Sequence, residues 1–205
     1  MRRLPVALLV LVATSPGWAQ PEFVPPPNRV GESAWLQLDH QLQEKNLCVP
    51  TSASIILSYF GDSVSPRELK ALSRDRPYRP EKPFSDFTLT MFGDLIAGLA
   101  TRGYAWRKET YANNQSGFEN ALSTVTGSLD QRVPVMIDTT TARGEHTFVV
   151  AGYSNSQQAV YAVDPSLPAP GVRPISFTQL RKIWNSQSVG SNRRAVIIPA
   201  PRAAP

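Results

Sequence analysis

Apolar residues recur at helical spacing through the first half of this chain and at strand spacing through the second. Between residues 50 and 60, Ala53, Ile56, Leu57 and Phe60 fall on one helical face. Pro50 suits the first turn of that helix, and Gly61 suits a left-handed cap at its end. Ser65-Pro66-Arg67-Glu68 is a capping box that opens a short helix to about Ser73. A third helix is expected from about Thr90 to Arg102, with the stripe Phe92, Leu95, Ile96 and Leu99 and a stop at Gly103. A fourth opens at Ser116, with Glu119 three residues on and Phe118, Leu122 and Val125 on one face.

The period then changes. Segments 133–138, 147–153 and 159–163 are short and rich in β-branched and aromatic residues. Ser154-Asn155-Ser156 separates the last two, which predicts a hairpin. Ser176 to Trp184 reads as a further short helix with Gln179 completing its cap, and 194–199 as a closing strand. Helices followed by an antiparallel sheet make an α+β domain.

The ends of the chain have a different character. Arg2 and Arg3 precede the apolar run Val6–Ala13, and Gly17-Trp18-Ala19 follows. This is the layout of a secretory signal cut after Ala19, with a membrane anchor as the alternative, although the run is short for a bilayer span. Residues 20–31 read as a Pro-rich lead-in, 32–199 as one domain, and 200–205 as a disordered tail. The 19 prolines of the 205-residue chain agree with such ends. Cleavage would leave 19 basic and 16 acidic residues, a net charge of +3 in place of +5. That mild surplus, without basic clusters interleaved with aromatics, argues against a nucleic-acid partner. The expected location is the periplasm or the medium, with no stable membrane insertion after cleavage.

Export sharpens the meaning of the single cysteine. Thiols in an oxidising compartment are usually paired, yet Cys48 has no partner in its own chain. One cysteine and two histidines also leave no basis for a cysteine- or histidine-rich metal centre, so no metal or cofactor is expected. Cys48 is then a buried inert residue, one half of an intermolecular disulfide, or a nucleophile. Its place just before a helix favours the last, because free backbone N–H groups and the helix dipole stabilise a thiolate.

Two further groups fit that chemistry. His146 opens one strand of the predicted hairpin and Asp164 ends the other, in Val163-Asp164-Pro165-Ser166. Pairing of the strands brings the two to the same sheet edge, where the imidazole can take the thiol proton and the carboxylate can orient the ring. Read singly, each has a plainer role, His146 as a capping residue and Asp164 as a turn residue. His40 is the competing base. An oxyanion donor is also needed, and the segment before Cys48 offers Gln43, with Gln41 in reserve; either alone could be solvent-facing polarity.

The stretch from Gln43 through Cys48-Val49-Pro50 to Tyr59-Phe60-Gly61 resembles the active-site helix of papain-like cysteine peptidases. It is most similar to the branch of the bacteriocin-leader peptidases, cysteine peptidase family thirty-nine. Gly144-Glu145-His146 with the strand to Tyr153, and Val163-Asp164-Pro165, resemble that family's His and Asp-Pro blocks. The likeness spans about residues 34–199. It implies a papain-like fold with the nucleophile helix packed on a C-terminal antiparallel sheet, and Cys48, His146, Asp164 and Gln43 as catalytic residues. Val49 departs from the Gly that often follows the cysteine, and leader peptidases are normally fused to a transporter, so double-glycine specificity is not carried over.

The expectation is an exported cysteine peptidase acting on a peptide or isopeptide amide, with a peptide or protein as substrate partner. A peptidoglycan amidase or transglutaminase-like transferase would use the same site. A silent peptide-binding module is the non-enzymatic alternative. The irregular segment 74–86 is the candidate cleft-side loop.

Overall fold

A computed structural model describes residues 23–74, 89–141, 144–185 and 193–202. The signal segment 1–19, residues 75–86 of the candidate loop and tail residues 203–205 lie outside the described residues. The elements run β1 (Ser33–Trp35), α1 (Cys48–Tyr59), α2 (Pro66–Arg74), α3 (Phe92–Ala100), β2 (Arg107–Ala112) and α4 (Gln115–Asp130). They continue β3 (Val135–Thr141), β4 (Gly144–Ser154), β5 (Ala159–Val163), β6 (Val172–Ser176), α5 (Phe177–Ile183) and β7 (Arg193–Ile198). The described strands form one antiparallel seven-stranded sheet in the order β2-β7-β3-β4-β5-β6, with β1 added on β4.

Every helix and strand expected from the pattern is present, and three strands are additional. Strand β2 was hidden because it is almost wholly polar (RKETYA) and runs along the sheet edge beside β7, so it has no apolar face to show. Strand β6 is interrupted by Pro174, which an edge strand tolerates, and β1 is only three residues long. The sheet therefore draws on both halves of the chain, although its centre is C-terminal.

Two helix starts also differ from expectation. The cap of α4 is Asn114, whose Oδ1 accepts from the Gly117 N–H at 2.7 Å, in place of Ser116. Helix α1 begins at Cys48, two residues before Pro50, and is buried on all sides from Val49 to Leu57. It packs on β3 and β4 on one side and α2 on the other. Its buried hydroxyls Ser52 and Ser54 reach the carbonyls of Thr147 and Val64. The caps at Ser65 and Ser176 form as expected.

The ends are tied down where they are described. Phe23 stacks near Trp35 and Tyr161, Ser33 Oγ donates to the Pro27 carbonyl at 2.6 Å, and Gly31 N–H donates to Asp130. At the other end, Trp106 donates to the carbonyl of Ala200 and Arg202 lies over the Tyr104 ring.

One irregularity in the sheet positions the site. Strands β4 and β5 pair Ser154 with Ala159 and Gly152 with Tyr161, but Val150 with Ala162 and Val149 with Val163, so Ala151 is an extra residue on β4. A side chain at Gly152 would stand 2.6 Å from the Ala34 carbonyl and 2.8 Å from the Trp35 ring, so β1 can lie against the bulge only over glycine. Gly152→Ala should lower stability by about 1–3 kcal/mol through this overpacking. The check is the urea midpoint, expected to fall at constant slope; an unchanged midpoint would contradict the role given to this contact.

Candidate active site

Three elements meet at one end of the sheet. Below the bulge the β4–β5 register sets Asp164 level with Phe148, so His146, two residues along β4, shares its face. His146 Nε2 donates to Asp164 Oδ1 at 2.7 Å. The ring's other nitrogen is left for the Cys48 side chain, with which His146 shares a hydrogen bond and a coulombic interaction. The hairpin and the start of α1 thus bring Cys48, His146 and Asp164 together as a chain of contacts.

Asp164 is 2% exposed and has no idle oxygen. Oδ1 also accepts from the Ser166 N–H at 2.9 Å and its hydroxyl at 2.7 Å, while Oδ2 accepts from Arg173 Nε at 3.0 Å. Burial opposes its charge, but the His146 ring and Ser166 donors outweigh burial and hold the carboxyl well below the usual carboxylate range. Burial likewise disfavours charge on His146. The hydrogen bonds and charges of Asp164 and Cys48 overcome it and raise the imidazole from 6.5 to about 9.

The start of α1 has no side chain to satisfy its free N–H groups. Leu47 occupies the cap position of α1 with no side-chain cap, and no acidic residue stands in the first turn. Pro50 has no N–H to satisfy, which leaves the first-turn N–H groups of Cys48 and Val49 without a capping side chain. The chain enters α1 through a turn from Glu44 to Leu47, closed by a 3.2 Å main-chain bond, with Asn46 at φ +62°. Glu44 is forked onto Arg67 of α2.

The two glutamines are now distinguished. Gln41 Oε1 accepts from Ser54, in the middle of α1. Gln43 donates its N–H to the Pro165 carbonyl at 2.7 Å, beside Asp164, and its buried Oε1 has no hydrogen-bond partner. His40 does not stand between Cys48 and Asp164; its Nε2 lies 3.2 Å from the main-chain oxygen of Asp164, against Gly171. A small, shallow depression of about 20 Å³ lies beside Cys48, lined by Val49, Leu89, Thr90, Met91, Asp138, Glu145 and Thr147. Sequence reading missed Arg173 and treated Ser166 as only a turn residue. The alternation around Val172-Arg173-Pro174-Ile175 was the available signal, obscured by the proline.

The architecture matches solved structures of cysteine peptidases. The peptidase domain of Streptococcus ComA, a bifunctional ABC transporter of a quorum-sensing pathway, superposes with a TM-score of 0.52 at 16% identity, over 80% of this chain and 98% of that one. The double glycine motif protease of an AMS/PCAT transporter, solved with its leader peptide, gives 0.52 at 13% identity, over 82% and 95%. Xylellain, a cysteine protease from Xylella fastidiosa, gives 0.50 at 7%, over 88% and 96%. The fold is therefore that of the papain-like cysteine peptidases. Residues 34–191 match the Peptidase C39 like family, and the chain belongs to it. No curated protein matches the sequence.

The shifted pair makes stability depend on pH in a definite direction. His146 is raised above its ordinary 6.5, so its contribution is complete below about pH 6.5 and is lost as pH rises through about 9. Asp164 is lowered from its ordinary 3.8, so its contribution is present above that value and lost as pH falls beneath it. Urea midpoints should therefore fall between about pH 6.5 and 9, and Asp164→Asn should flatten that slope. A wild-type midpoint independent of pH across this window would contradict the pairing.

Proposed function

We propose that the chain is an exported cysteine peptidase in which Cys48 is the nucleophile, His146 the acid and base, Asp164 the group orienting His146, and Gln43 an oxyanion donor. One observation carries the reading: His146 is held between the Cys48 side chain and a buried, fully bonded Asp164. An imidazole fixed in this way, and raised to about 9 by its neighbours, is placed to take the Cys48 proton on its remaining nitrogen.

The reaction follows from these positions. The Cys48 sulfur attacks the carbonyl carbon of a peptide or isopeptide amide, and the carbonyl electrons move onto oxygen. The uncapped N–H groups at the start of α1 and the Gln43 amide stabilise that oxyanion. Gln43 suits the task because its buried Oε1 has no protein partner, and a half-turn of the amide exchanges acceptor for donor at that position. As the tetrahedral species collapses, the C–N bond breaks and the imidazolium gives its proton to the leaving amine, leaving a thioester. Water then loses a proton to His146 and attacks the thioester carbon. Cys48 departs as thiolate, and His146 is again charged.

A peptide substrate is also in keeping with the family and with the leader peptide bound by the AMS/PCAT protease. Export is supported by Arg2, Arg3, the apolar run and the small residues at 17–19. Among the described residues, no helix is long and apolar enough to cross a membrane.

The test is a peptide-library digest with the mature protein. Wild type should cleave a definable set of amide bonds, Cys48→Ala should cleave none, and Gln43→Ala should lower kcat by about 10²–10³. Identical digests from wild type and Cys48→Ala would overturn the proposal.

A further inference from the structure

We infer that Arg173 is a positioning residue for the His146–Asp164 pair, fixing the carboxylate plane and offsetting part of its charge. The inference rests on the catalytic reading above and adds a residue to it. Arg173 stands opposite Ala162 in the β5–β6 register, hence on the face shared by Asp164, Phe148 and His146. Its Nε donates to Asp164 Oδ2 at 3.0 Å, and its guanidinium lies 5.0 Å over the Phe148 ring. Phe148 in turn has its ring centre 6.2 Å from that of His146.

The consequences are geometric and electrostatic. Ser166 and His146 both bind Oδ1, so without Arg173 the carboxylate could pivot about that oxygen, and Oδ2 would be buried without a partner. With Arg173 in place, both oxygens are assigned and Oδ1 stays aimed at the ring. Arg173 also brings a permanent positive charge to a carboxylate whose negative charge raises His146. An Asp164 facing His146 alone would hold the ring charged to a still higher pH and make it a poorer proton donor to the leaving amine. Arg173 therefore keeps the imidazolium oriented without letting it become too weak an acid.

The other groups near the pair are accounted for. Cys48 approaches from α1, and His40 meets the main-chain oxygen of Asp164 from the segment before α1. Asp138 of β3 and Glu145 of β4 line the depression beside Cys48, and Asp138 accepts from Thr147. Among the groups these contacts define, Arg173 is the one that binds the second carboxylate oxygen.

The test combines an NMR titration of His146 with steady-state kinetics on wild type, Arg173→Gln and Arg173→Lys. The glutamine variant should raise the His146 titration midpoint by about half a unit or more. Its kcat should fall about tenfold, the scale of one charge-assisted hydrogen bond, with KM little changed. The lysine variant should return the midpoint toward wild type. A glutamine variant that loses activity while His146 titrates as in wild type would overturn the inference, as would one unchanged in both respects. If that variant does not fold, Arg173→Met, which keeps a stem over Phe148, takes its place with the same expected shift. The titration needs no turnover, so it judges Arg173 even if the peptidase reading fails.

Discussion

Between Val150 and Gly152, strand β4 carries one more residue than its partner β5, and that offset decides which side chains share a face. With the upper register continued unbroken, Asp164 would stand level with Val149, and His146 would point to the opposite side of the sheet. The extra residue moves Asp164 level with Phe148 and puts it on the same face as His146. The bulge is secured from outside by β1, which packs on a glycine that cannot carry a side chain there. The short first strand thus holds the register that puts His146 and Asp164 on one face.

A buried carboxylate turns that register into a fixed ion pair. Asp164 is removed from water at a cost that only near-complete hydrogen bonding and charge pairing can offset. Ser166, His146 and Arg173 provide this, each from a different place: the turn itself, β4 and β6. The fixed anion then overcomes the burial that would otherwise keep His146 neutral. At the start of α1, the first-turn N–H groups have no capping side chain. Local departures from the best folding choices, a leucine at a cap and a buried amide oxygen without a partner, gather at this one end of the sheet.

Much of this arrangement was legible in the sequence, and the reasons for the rest are physical. The helices and central strands announced themselves because each has an apolar face of the right period, and His146 and Asp164 were placed together by one hairpin argument. Strand β2 was invisible because an edge strand of charged residues has no such face, and β6 because a proline broke its pattern. The full burial of α1 could not be read from its sequence, since it depends on α2 covering the side away from the sheet. Gln43 was preferred to Gln41 in the sequence, but the two are separated by contacts only the fold supplies, since Ser54 claims Gln41 and Pro165 tethers Gln43. Arg173 acts across strands, and its contact with Asp164 depends on a register that composition does not encode.

Membership of the Peptidase C39 like family and a papain-like fold set the frame, while the activity of this particular chain turns on the state of one thiol. Cys48 is the only cysteine in the protein, so its reactivity can be followed without ambiguity. The most direct measurement is the rate of Cys48 alkylation by iodoacetamide at about pH 6, beside free cysteine and beside a His146→Ala variant. An ion pair with His146 predicts that wild-type Cys48 reacts faster than both, since the thiolate is the attacking species. A rate no greater than that of free cysteine, and unaffected by loss of His146, would contradict the account.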